Sequence, residues 1–168
     1  MENLLVGYHT PEIALPAVTG ETYQLEKDRE VRPGWRLIYY FRGSWCPACE
    51  KSLQELKESQ KQLSDQNVWI TAVSSDRLEK LEGFQHKHNY PFPILADENM
   101  QMLQDFGVYK HDDENSMYSD HGIHGEPAVF LLDEENRLLF VQRQSGPFGR
   151  IDVEGLQQNI DYIVEHKQ

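Results

Sequence analysis

Cysteine is scarce in this chain, and the scarcity is informative: 168 residues hold two, Cys46 and Cys49. A disulfide-stapled scaffold is therefore excluded, and a four-cysteine zinc site with it. Long apolar runs are missing too, so no stretch approaches the roughly 20 residues that cross a bilayer as a helix. Positive charge is in short supply, with 16 Lys and Arg against 28 Asp and Glu and a net charge of −12. That balance argues against non-specific nucleic-acid binding and against anionic membrane surfaces. The start, Met1-Glu2-Asn3-Leu4-Leu5-Val6-Gly7, lacks the basic and apolar regions of a signal peptide, so a cytoplasmic location is expected. In that reducing compartment the two cysteines would rest mostly as thiols. With 39% hydrophobic and 26% charged residues, disorder is not the default, and residues 1–168 are expected to form a single domain.

What is present is concentrated around the cysteines. The apolar run Leu37-Ile38-Tyr39-Tyr40-Phe41 leads into Arg42-Gly43-Ser44-Trp45-Cys46-Pro47-Ala48-Cys49-Glu50. A helical pattern with Leu53, Leu56 and Leu63 leads out. The first turn of a helix carries unpaired backbone N–H groups and the positive end of its dipole, so a thiolate there is favoured. Pro47 suits the first helical position because its missing N–H would have no partner there. With Cys46 at the cap and Cys49 one turn on, the sulfurs can meet on one side of the helix and exchange two electrons. Inert packing cysteines are the plain alternative. A Cys2His2 zinc set completed by His121 and His124 is another, although nothing in the sequence brings those histidines to the cysteines.

Along the chain, residues 4–25 read as an opening segment with two short extended pieces, and residues 26–34 as a polar loop ending in Pro33-Gly34. A buried strand is expected over 35–41 and a long helix with a charged outer face over 47–66. A second central strand follows over 68–74, then a helix capped at Ser75-Asp76 and running to about Asn89, with His86 and His88 at its solvated end. A short strand is expected at 94–96 and a short helix over 99–106 closed by Gly107. Residues 110–125 read as a long surface loop. Strands at 128–132 and 138–141 form a hairpin across Asp133-Glu134-Glu135-Asn136. A closing amphipathic helix over 152–166 shares Val153, Leu156, Ile160, Ile163 and Val164 on one face. The order implies an α/β fold, a mixed central sheet with helices on both faces.

That order, with the cysteine motif after the first central strand, resembles the thioredoxin fold. Further segments resemble the alkyl hydroperoxide reductase/thiol-specific antioxidant (redoxin) family, which includes the peroxiredoxins. They are Val6-Gly7 through Pro11-Glu12-Ile13-Ala14-Leu15-Pro16, Pro93-Ile94-Leu95-Ala96-Asp97, Phe106-Gly107-Val108, Pro127 through Asp133, and Gly149-Arg150 ahead of Glu154 and Leu156. The resemblance implies a peroxiredoxin-type arrangement of the thioredoxin-like sheet. It also implies a cis peptide at Pro127, facing the cysteines and cradling a partner's backbone.

The resemblance leaves two chemistries open. In a thioredoxin-like disulfide reductase, Cys46 attacks a target disulfide and Cys49 resolves the mixed disulfide, with Trp45 standing where thioredoxins have it. In a peroxiredoxin-like thiol peroxidase, Cys46 stands where the family has Thr or Ser, so Cys49 is peroxidatic and Cys46 resolves. The family's arginine beside the sulfur is replaced by Glu126-Pro127. Arg42, Arg143 or Arg150 would have to substitute, and disulfide exchange is therefore the first expectation. Glu126, if near the thiols, would raise their pKa or take their proton. A copper-binding module using Cys46, Cys49 and His121 or His124 is a third reading. Redox exchange calls for no cofactor. The partners implied are a protein disulfide or a peroxide, and a thiol electron donor.

Overall fold

The computed structural model describes residues 4–112, 114, 121–149 and 151–167. In chain order these are β1 (Ala14–Pro16), β2 (Thr22–Gln24), α1 (Leu25–Val31), β3 (Trp35–Tyr40), α2 (Pro47–Asp65), β4 (Val68–Ser74) and α3 (Leu78–His88). Then come β5 (Ile94–Ala96), α4 (Gln101–Phe106), β6 (Lys110–His111), β7 (His124–Gly125), β8 (Ala128–Leu132), β9 (Leu138–Arg143) and α5 (Val153–His166). Five strands form the central sheet in the order β5-β4-β3-β8-β9. β4 runs parallel to β3 and to β5, whereas β8 is antiparallel to both β3 and β9.

β3 is central because it is apolar on both sides. Alternate residues of a strand point to opposite faces. Leu37, Tyr39 and Phe41 join one buried cluster with Leu53, Leu56, Leu156 and Ile160, from α2 and α5. Ile38 and Tyr40 join the other, with Leu25, Leu103, Phe106 and Phe130. Helices therefore cover both faces, and the chain leaves the end of β3 directly into the cysteine loop.

Four sequence expectations are corrected here. Residues 26–34 are not all loop: α1 occupies Leu25–Val31. Its seven residues are too few to show a helical period. Its anchors are the buried Leu25 and Arg29, which donates to Asp133 O at 2.7 Å and Asn136 Oδ1 at 2.6 Å. Within the stretch 110–125, β6 and β7 pair antiparallel, matching Lys110 with Gly125 and His111 with His124. Val164 lies outside the apolar face of α5 and is exposed. His88 is not a simple surface residue, since its ring stacks on Tyr90 at 5.3 Å.

Candidate active site

The site is built where β3 ends. Phe41 N donates to Val73 O at 2.8 Å and Ser74 Oγ donates to Arg42 O at 3.3 Å, so β4 grips the chain as it leaves the sheet. One side chain then fixes the turn: Asp76 accepts from both Ser44 N at 3.0 Å and Ser44 Oγ at 2.6 Å. Cys46 follows as the N-cap of α2, with Pro47 in the first turn. Its sulfur accepts the Cys49 backbone N–H at 3.2 Å, as a capping oxygen would. The Cys49 sulfur accepts from Arg42 N at 3.4 Å. Both thiols are free and buried.

This arrangement divides the proton between the sulfurs unequally. The Cys46 thiol is lowered to about 6, first because the Cys49 side chain donates to it, then through the Cys49 backbone N–H and the Arg42 charge, with burial opposing. The Cys49 thiol is pushed up, by that same hydrogen bond, by burial and by the charge on Cys46. Of the pair, Cys46 is therefore the first to ionise and Cys49 the one that holds its proton. Tyr39, on the β3 face that meets α2 and α5, is raised well above the ordinary tyrosine range, mainly by burial.

Around the thiolate lies a buried charged network. The Arg42 guanidinium reaches His124 Nε2 at 3.0 Å and Glu126 Oε1 at 3.4 Å, and sits 4.9 Å from the Trp45 ring centroid. The rings of His121 and Trp45 stack at 3.9 Å, and those of His111 and His124 at 4.5 Å. His124 is held in turn by Gly122 O, 2.9 Å from Nδ1. Gly125 lets β7 lie this close, because a Cβ there would stand 2.5 Å from the Tyr40 ring.

The structure thus gathers Arg42, Trp45, Cys46, Pro47, Cys49 and Glu126 at one end of the sheet. Glu126 meets Arg42, His124 and His111, so its carboxylate bears on the thiols through Arg42. Pro127 is corrected: no cis peptide occurs among the described residues. A trans proline fits directly ahead of β8, where its missing N–H leaves no ladder bond unmade, and Gln144 N donates to its carbonyl at 2.9 Å. Of the substitute arginines, Arg143 instead donates to Leu4 O and Phe106 O, each at 2.8 Å. Arg150 lies outside the described residues. The copper set does not converge: among the described residues the one group within ligand distance is His111, His124 and Glu126, without either cysteine. His111 was missed by the sequence reading. Strands of two residues carry no period, so nothing local points to His111; the spacing of His124-Gly125-Glu126 puts only those two side chains on one side of an extended chain.

A thiolate capping a helix one turn before a protonated thiol, at the end of a central strand, defines a class: a thiol-dependent oxidoreductase on a thioredoxin-like fold. Its backbone superposes on peroxidoxin BcpB from Mycobacterium tuberculosis with a TM-score of 0.78, covering 99% of this chain and 100% of that one at 16% identity. The Enterococcus faecalis AhpC structure gives 0.78 at 18% identity, covering 99% and 98%. In sequence, the chain is 28% identical over 134 residues to peroxiredoxin Bcp of Bacillus subtilis, spanning 80% of this chain and 82% of that protein. Peroxiredoxin Bcp of Escherichia coli is 28% identical over 138 residues, spanning 82% and 85%. The sequence model of the AhpC/TSA family matches residues 6–141, and the chain belongs to that family. The relatives bear the name peroxiredoxin, which favours the peroxidase alternative over the disulfide reductase expected first.

Proposed function

We propose that this chain, as one redoxin unit, is a thiol peroxidase in which Cys46 is the attacking thiolate and Cys49 resolves. The observation that carries this is the place of the Cys46 sulfur at the cap of α2, where it accepts the Cys49 backbone N–H at 3.2 Å and its thiol is lowered to about 6 with the Arg42 guanidinium beside it. The nucleophile in peroxide reduction is a thiolate, and Cys46, lowered where Cys49 is raised, is the readier of the two to form one. Its sulfur attacks the near oxygen of a hydroperoxide and breaks the O–O bond. Cys46 becomes a sulfenic acid, and the departing oxygen leaves as water or an alcohol after taking a proton. Arg42 stabilises negative charge on sulfur and then on the leaving oxygen. The Cys49 sulfur next attacks the sulfenic sulfur, expels water and closes the Cys46–Cys49 disulfide. An external thiol donor reduces that bond by exchange, accepting the oxidation itself. Trp45 walls the site, Pro47 sets the start of α2, and Pro127 aims Glu126 at Arg42.

One observation favours the other order of the cysteines. Cys49 stands at the family's peroxidatic place, and its sulfur accepts the Arg42 backbone N–H at 3.4 Å. Stopped-flow oxidation of the reduced protein separates the two. Peroxide reaction that is lost in Cys46→Ser and ends at a trappable sulfenic acid in Cys49→Ser is the expected result. The reverse pattern assigns the attack to Cys49. Slow reaction with peroxide beside rapid exchange with a protein disulfide would overturn the peroxidase reading.

A further inference from the structure

Glu126, His124 and His111 are buried together at the base of the 110–125 stretch, and the redox chemistry uses them only through Arg42. The β6–β7 register sets His111 directly opposite His124. Their inward atoms are close: His124 Nε2 lies 3.3 Å from Glu126 Oε1, and His111 Nδ1 lies 3.7 Å from the same oxygen. One ligand atom from each of the three falls within 4.8 Å of the others. Zinc bonds of about 2.0–2.2 Å in a tetrahedron put ligand atoms about 3.3–3.6 Å apart, so the His124 separation already suits one ion and the His111 separation needs only a slight inward shift.

Two further observations point to a ligand. The Nδ1 atom of His124 lies 2.9 Å from Gly122 O, which fixes the tautomer with Nδ1–H donating and leaves the Nε2 lone pair facing Glu126. A carbonyl in that place is the usual outer support of a metal-bound histidine. Glu126 Oε2 is buried and has no hydrogen-bond partner among the described residues. A buried carboxylate oxygen without a partner is costly, and the contact with Arg42 Nε, at 3.4 Å, is made by the other oxygen, Oε1. The group holds one carboxylate and two imidazoles, a donor set suited to zinc, iron or nickel rather than to magnesium or calcium.

We propose that His111, His124 and Glu126 form a binding site for one divalent transition-metal cation of the zinc type. The guanidinium of Arg42 and the ion compete for the same two atoms, His124 Nε2 and Glu126 Oε1. A cleft of about 290 Å3 bordered by Arg42, Trp45, Asp76, His121 and His124 gives the ion a way in. It also gives the displaced guanidinium a place near the Asp76 carboxylate. Metal occupancy therefore takes away the groups that hold Arg42 toward Cys46.

The test uses the full chain carrying Cys46→Ser and Cys49→Ser, which removes the thiols as ligands. Zinc is titrated against a chromophoric chelator, and Co2+ absorbance reports the ligand type. The expected result is one equivalent bound, with a Co2+ spectrum free of thiolate charge-transfer bands. Affinity should fall by at least about tenfold in His111→Ala and His124→Ala and rise in Arg42→Met. His121→Ala, which removes a neighbouring imidazole outside the set, should leave binding unchanged. Circular dichroism of each variant separates lost ligation from lost folding, and Glu126→Gln, close in volume to the native residue, supplies a second loss-of-ligand variant. Binding seen in the wild type but absent from the double serine protein would assign the metal to the thiols and overturn the proposal. Absence of binding in both would overturn it as well, leaving the cluster as the anchor of Arg42.

Discussion

Two arginines bracket β3, and both are buried. Arg36 sits near its start and Arg42 just past its end, at 0% and 6% relative exposure. Their partners differ in kind. Arg36 donates to Arg32 O at 2.7 Å, Trp35 O at 3.2 Å and Asp28 at 3.1 Å, so backbone carbonyls absorb most of it. Asp28 is also held by Arg32 at 2.6 Å and by the Tyr23 hydroxyl at 2.8 Å. Arg42 has two imidazole-linked, titratable neighbours and a thiolate instead. A charge met by carbonyls can only hold structure. A charge met by a histidine, a carboxylate and a sulfur can be redistributed when any one of them changes. Burial alone therefore does not mark a functional arginine; the chemistry of its partners does.

The comparison breaks most visibly at Arg42. In Arg42→Met, Glu126 keeps a buried charge with no guanidinium, and removing one partner of such a pair costs about 3–5 kcal/mol. Losing the positive charge also raises the Cys46 thiol and removes the stabilisation of the leaving oxygen, so the peroxide reaction at pH 7 should slow by about tenfold from the two effects together. Urea unfolding and stopped-flow oxidation would measure the two separately. The double variant Arg42→Met with Glu126→Gln should recover most of the stability and none of the rate. Recovery of both would mean that Arg42 serves Glu126 alone.

Arg36→Met is the matched control. It should cost about 2 kcal/mol, less than the Arg42 change because Asp28 keeps two other partners, and the loss is mostly of charge-assisted hydrogen bonds. Thiolate ultraviolet absorbance against pH should titrate as in the wild type. A shifted thiol titration in this variant would erase the distinction between the two ends of β3.

Much of the frame around these residues was legible in advance. β4 and β5 fall on the expected residues, and α2 begins at Pro47 as expected, because β-branched runs and a helix-start proline are local signals. α1 and the β6–β7 ladder were not legible: elements of seven and two residues carry no period. Arg42 was legible only as an option. An arginine in a polar loop reads as solvated, and its burial is created by His124 and Glu126, more than eighty positions away in the chain. The cis expectation at Pro127 came from resemblance, and here the local chain satisfies its hydrogen bonds with the cheaper trans bond.

The pH dependence of stability sharpens the contrast between the two ends. Cys46 has a folded pKa lowered to about 6. Its stabilising contribution is complete above the ordinary thiol range, near 8.5, and is lost as the pH falls through about 6. Cys49 is raised, so its contribution is present below the ordinary thiol range and lost as the pH climbs above it. The reduced wild type, compared with the double serine variant, should therefore gain stability from pH 6 to about 8 and lose it again at higher pH. Arg42→Met should flatten the rising limb, and Arg36→Met should leave it. A flat difference curve for the wild type would mean that no thiolate is held at Cys46.

The smallest effect tests whether the active end is held rigidly enough to keep that thiolate. Asp76 takes two hydrogen bonds from Ser44, two residues before Cys46, whereas the chain just ahead of Arg36 is tied through its carbonyls, by Arg29 on Gly34 O at 2.7 Å and by the Trp69 indole on Pro33 O at 3.0 Å. Both Ser44 bonds are partly exposed, so Asp76→Ala should cost about 1 kcal/mol. Its effect on chemistry depends on how far the cap relies on the turn. If the turn positions the Cys46 sulfur over the Cys49 N–H, loosening it weakens that bond and lifts the Cys46 pKa, visible as a shifted alkylation-rate profile. If α2 holds its own cap through Pro47, stability falls and the profile stays. The first outcome places the preorganisation of the thiolate in the loop, the second in the helix.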